Sequence, residues 1–167
     1  MGLYYGMQTG SLENGLLRLE YLKEGALRLV RLMFGRSEQN LFVELPGVGW
    51  DTPHGFYRLL GGHRFWVAPE SIDLTYLTEP QEVAVEVIPG GVRLAQPVDL
   101  HCGLQKIIEV QLHPGEARFS LNHILVNHGP KTMRVAAWAI SQFALGGIAA
   151  LPQPNDKTDP GGYLPNR

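Results

Sequence analysis

A chain of 167 residues with a single cysteine, Cys102, can form neither an internal disulfide nor a cysteine-based zinc knuckle. A lone thiol of this kind is expected to act as a small buried hydrophobe. Excess charge of one sign is equally scarce. The 14 Lys and Arg against 16 Asp and Glu leave a formal net charge of −2, without the basic surplus that phosphate backbones require. Nucleic acid is therefore not an expected partner. Arg28 and Arg31 alternate with apolar residues, a pattern that reads as a solvated strand face. No apolar run approaches the ~20 residues of a membrane helix. Met1 to Gln8 lacks a basic stretch followed by an apolar core, the mark of a secretory leader. The expectation is a chain without a membrane partner, located in the cytoplasm.

Helical periodicity is also missing, because 20 glycines and 12 prolines interrupt the sequence at short intervals. What remains is a series of short strands. Glu82 to Ile88 places Val83, Val85 and Val87 on one face, Pro89-Gly90-Gly91 supplies a turn, and Val92-Arg93-Leu94 returns. Leu104 to Leu112 follows, with Leu104, Ile108, Val110 and Leu112 inward and Gln105, Glu109 and Gln111 outward. His113 to Glu116 turns the chain into a further strand. There the apolar phase slips from Phe119 and Leu121 to Ile124 and Val126, which predicts a β-bulge at Asn122–His123. Upstream, Leu12 to Gly15 and Lys23 to Gly25 are turns around strands at Leu17 to Tyr21 and Ala26 to Phe34, and Asn40 to Leu45 is another strand. Pro46 to Gly62, rich in glycine, proline and aromatics, reads as a long loop laid across a sheet end. About eight antiparallel strands at this spacing predict an all-β, antiparallel β-sandwich. We place it at residues 1–151, followed by an extended Pro/Gly-rich tail at 152–167.

The densest chemistry lies in His54, Tyr57, Arg58, His63, Arg64, Trp66 and Glu70. A pyranose ring is recognised by an aromatic face against its C–H side and by planar polar groups across its hydroxyls, and this segment offers both. Trp138 is a further aromatic candidate. No phosphate-cradling loop is present, since Gly61-Gly62 precedes neither Lys-Ser/Thr nor a helix start. Ser71, Ser120 and Ser141 lack a nucleophile-elbow context.

Three segments resemble the galactose mutarotase-like (aldose 1-epimerase-like) superfamily. They are the hairpin opening at Leu12-Glu13-Asn14-Gly15, the stretch Thr52 to Trp66 continuing through Ala68-Pro69-Glu70, and Val135 to Gly147. The last is similar to the strand that reads V-N-L-T-N-H-S-Y-F-N-L-x-G in active aldose epimerases. The resemblance implies a supersandwich, of which this length would cover the N-terminal half to two-thirds, and a small-molecule carbohydrate as partner. It also exposes a departure. The family's acid histidine falls on Ile140 and its asparagines on Ala136 and Ala139, and isoleucine donates no proton. The implied reading is a carbohydrate-binding, epimerase-like domain with no cofactor and no metal, able to self-associate through open sheet edges. One alternative is an active sugar isomerase using a displaced histidine, His54 or His63. Another is a cupin-like metal-binding module, because His123 and Asn127 fit the H-x-x-x-N spacing of a cupin's second motif and His101 and His128 are further imidazoles. The first cupin motif is missing.

Overall fold

The structure, a computed structural model, describes residues 2–77 and 82–151. The strands run β1 (Gly2–Tyr4), β2 (Met7–Glu13), β3 (Leu17–Leu22), β4 (Arg28–Phe34), β5 (Glu44–Thr52), β6 (Gly55–Gly61) and β7 (His63–Ala68). A single helical turn, α1 (Ile72–Thr75), comes next. Then follow β8 (Ala84–Ile88), β9 (Gly91–Ala95), β10 (Leu104–Leu112), β11 (Phe119–Asn127) and β12 (Ala136–Ser141). Six strands form one sheet in the order β1-β2-β3-β4-β7-β12, and four form a second in the order β11-β10-β9-β8. β5 and β6 make a separate two-stranded ribbon. Every pairing is antiparallel. The all-β sandwich is what the short alternating runs predict.

The main core lies between the two sheets. Leu17, Leu19 and Tyr21 of β3, Leu29 and Leu32 of β4 and Phe65 of β7 meet Val92 and Leu94 of β9 and Ile108, Val110 and Leu112 of β10. Each such side chain contributes about 1.5–3 kcal/mol by leaving water. Asn14 fastens the two sheets at one end. Its Oδ1 accepts from the backbone N–H groups of Leu16 and Leu17, while its Nδ2 donates to the carbonyls of His113 and Glu116 in the turn between β10 and β11. A smaller cluster of Tyr4, Leu22, Ala26, Val30 and Leu60 fills the space between the ribbon and the outer face of the six-stranded sheet.

Four expectations are corrected. Pro46 to Gly62 is not a loop but most of the β5–β6 ribbon. Its Pro and Gly residues serve an irregular strand: the register jumps between Leu45 and Gly49, so that Pro46, Gly47 and Val48 sit in a bulge, where a missing N–H costs no ladder bond. The slip expected at Asn122–His123 does not occur, because β10 and β11 pair without interruption from Leu104↔Asn127 to Leu112↔Phe119. The core face of β11 carries Phe119, Leu121, His123 and Leu125 throughout, and the histidine among apolar neighbours disguised the phase. Within the two large sheets, the register shift among the described residues lies between β3 and β4, at Glu20/Tyr21. Third, Arg28 is not on a solvated face but is the largest fully buried side chain among the described residues, whereas Arg31 is partly exposed and pairs with Glu20 and Glu44. Fourth, Asn40 to Leu45 is not one strand. The Asn40 side chain bonds the backbone of Leu32, Phe42 and Val30, Phe42 bridges to Phe143, and regular pairing begins only at Glu44. The tail at 152–167 lies outside the described residues.

Candidate functional site

The segment singled out by composition folds around β7. Successive strand residues point to opposite faces, so His63, Phe65 and Val67 turn toward the inter-sheet core while Arg64 and Trp66 turn toward the ribbon. The burial of β7 is continuous from His63 to Val67 because both of its faces are covered.

On the ribbon side, Arg28 and Ile140 flank Arg64 on the neighbouring strands, and Trp138 sits opposite Trp66. The Arg64 guanidinium lies 4.1 Å from the Trp66 ring centre and donates to Gln142 Oε1. Trp66 Nε1 donates to the Tyr57 hydroxyl at 2.7 Å, and Arg28 Nη2 donates to the same oxygen at 2.9 Å. Tyr57 thus joins the ribbon to the sheet through one buried acceptor. Around it the aromatic rings are continuous. Trp50 is 5.1 Å from Tyr57, Tyr76 is 5.2 Å from Trp66 and 5.6 Å from Trp50, and Trp138 is 5.1 Å from Trp66. Trp66 and Tyr57 are buried, whereas Trp50 is 38% exposed and Tyr76 and Trp138 are half-buried. The exposed Glu70 carboxylate accepts from the Tyr76 hydroxyl, and that bond pushes the phenol up to about 12.

Removing the shared acceptor gives a direct test of this junction. Tyr57→Phe removes the oxygen that two buried donors share: Trp66 Nε1 loses its acceptor, while Arg28 Nη2 still reaches the Arg58 carbonyl at 3.4 Å. An unsatisfied buried donor costs about 1–3 kcal/mol, so a loss of about 2 kcal/mol is expected. Thermal unfolding should show a Tm lower by roughly 4–8 °C; an unchanged Tm would mean that the hydroxyl is not the junction.

On the core side, His63 Nδ1 lies 2.8 Å from the Ser141 hydroxyl and His63 Nε2 lies 2.8 Å from His123 Nε2. Two ring nitrogens at that separation share one proton, with one donating and the other accepting. Burial depresses the His63 pKa to about 3, and the charges of His123, Arg28 and Arg64 act in the same direction. Burial also lowers His123.

The residues predicted from the sequence therefore divide. Tyr57, His63, Arg64 and Trp66 are interior, Trp138 is half-buried, and Arg58 and Glu70 are exposed. His54 stands apart at the ribbon tip, with Nε2 2.9 Å from Asp73 Oδ1 of α1. The other histidines go to separate neighbourhoods. His101 stacks near His54 with ring centres 4.5 Å apart, His123 joins His63, and His128 bonds Gln105. Sequence reasoning missed Trp50, Tyr76 and Asp73. The only signal was that Trp50 lies in the same aromatic-rich stretch as Phe56 and Tyr57. Comparisons with protein-family models, with curated proteins and with solved structures find no match to this chain.

Proposed function

We propose that the chain is a saccharide-binding domain whose contact surface is the rim formed by Trp50, Tyr76 and Trp138, without aldose epimerase turnover at the position occupied by Ile140. The observation that carries this reading is the continuity of three solvent-reaching aromatic rings with the buried Trp66–Arg64 stack beneath them. Flat apolar rings fixed from below suit the C–H face of a sugar. Glu70 and Arg58, both exposed, supply polar groups suited to hydroxyls. In this reading Tyr57, Arg64 and Trp66 hold the platform from within, and His63 lies on the other side of the sheet, toward the core.

A panel of mono- and oligosaccharides should include at least one that raises the Tm and changes tryptophan fluorescence saturably. Trp50→Ala and Trp138→Ala should each weaken that ligand about tenfold, equivalent to ~1.4 kcal/mol. Polarimetry of α-D-glucose in the same preparation should show no acceleration of mutarotation. Acceleration that disappears in His54→Ala would replace this reading with an isomerase. If no saccharide moves either signal, the binding reading is wrong.

A further inference from the structure

We infer that His54, Asp73 and His101 form a binding site for one divalent first-row cation of the zinc type. The juxtaposition comes from three separate stretches of chain: the turn between β5 and β6, the helical turn α1, and the loop between β9 and β10. His54 Nε2 is 2.9 Å and His101 Nε2 is 3.9 Å from the same Asp73 oxygen, and one ligand atom from each residue lies within 4.8 Å of the other two. Zinc bonds of about 2.0–2.2 Å to nitrogen and oxygen in tetrahedral geometry place the ligand atoms about 3.3 Å apart. The observed separations of 2.9 and 3.9 Å fall on either side of that value. Small rotations of Asp73 and His101, both largely exposed, close the triangle around an ion.

The donor set indicates the kind of metal. Two imidazoles with one carboxylate favour zinc and its neighbours over calcium and magnesium, which take oxygen ligands. The backbone of two of the three ligands is held in place. Asp99 Oδ1 accepts from the N–H groups of His101 and Cys102, and Thr52 Oγ1 accepts from His54 N–H while donating to the Gly55 carbonyl. Hydrogen bonding alone accounts for less, because Asp73 Oδ1 lies between two imidazoles but is within bonding distance of only His54. Three protein ligands and an exposed side leave a fourth position for water or an exchangeable group, the arrangement of open zinc sites rather than closed structural ones. This inference does not depend on the saccharide reading, because its residues lie outside the aromatic rim.

The test uses the full chain without a histidine tag, stripped with chelator and desalted. Titration with Zn²⁺ by calorimetry should show one equivalent bound, and Co²⁺ should give the visible d–d bands of a low-symmetry site. His54→Ala, Asp73→Asn and His101→Ala should each weaken Zn²⁺ by about tenfold or more, the scale reached by loss of even an outer partner of a metal site. His113→Ala and His128→Ala should leave it unchanged. Asp73→Asn keeps the side-chain shape, and circular dichroism of each variant separates lost ligands from lost fold. Absence of saturable binding would reduce the cluster to a His–Asp pair and overturn the proposal. So would binding that persists in a His54→Ala/His101→Ala double variant.

Discussion

Acidification from pH 6.5 to pH 4.5 should remove about 2 kcal/mol of folding free energy through His63 alone. In the unfolded chain an imidazole titrates near ~6.5; in the folded domain burial depresses the His63 pKa to about 3. Between those values the unfolded chain carries a proton that the folded chain does not, and each pH unit then costs about 1.4 kcal/mol. The contribution is complete above ~6.5 and is lost as the pH falls toward about 3. His123 is lowered by burial and acts in the same direction. Ser141 and Phe65 face the pair, and the positive charges of Arg28 and Arg64, on the other face of the sheet, oppose protonation of His63 further. Against a typical total of ~5–15 kcal/mol the effect is large. Urea unfolding at intervals between pH 7 and 4.5 measures it. His63→Gln should unfold with a slope against pH that is shallower by about one proton. A wild-type slope no steeper than that of the variant would refute the buried neutral pair.

A larger loss is expected from one methyl group. At Gly62 the backbone has φ of +67°, and an added Cβ would stand 2.1 Å from the carbonyl oxygen of Leu29 in β4. The left-handed conformation costs an L-residue about 1–2 kcal/mol, and the clash forces apart two strands that carry Arg28 and Arg64. Gly62→Ala should therefore lose about 4 kcal/mol, a Tm decrease of roughly 8–16 °C. Gly15 provides the comparison, since its φ is +84° but nothing lies within 4 Å of its Cβ position. Gly15→Ala should cost only the conformational part, about 1–2 kcal/mol. Equal losses in the two variants would show that the approach of the strands contributes nothing.

Strands with one face in the core and the other toward water were legible from the sequence. β3, β9 and β10 alternate because Leu17, Leu19 and Tyr21, then Val92 and Leu94, then Ile108 and Val110, all face one interior. β7 carried no such alternation, because the ribbon and the second sheet cover its two faces. A run such as His63-Arg64-Phe65-Trp66 gives no sign of which polar groups are enclosed. The ribbon was misread for a related reason: Pro46, Gly47 and Gly61-Gly62 mark a bulge and a crossing as readily as a loop. The candidate site was legible as a cluster of residue types between positions 54 and 70. Its rim was not, since Trp50 and Tyr76 come from flanking segments and reach Trp66 only through the fold. The three groups at the ribbon tip had no local pattern at all, since positions 54, 73 and 101 are brought together by tertiary contacts alone.

The β5–β6 ribbon belongs to neither sheet's ladder. It is fastened by side chains: Tyr4 donates to the Leu60 carbonyl, Tyr5 donates to Glu44, and Tyr57 accepts from Arg28 and Trp66. The strip runs from Gly61-Gly62 to a tip that meets α1 through His54 and Asp73. Clamping that tip restrains the whole arm, including Trp50 partway along it. Occupation of the histidine–aspartate corner would thereby stiffen the aromatic rim through shared backbone, with no atom in common between the two places.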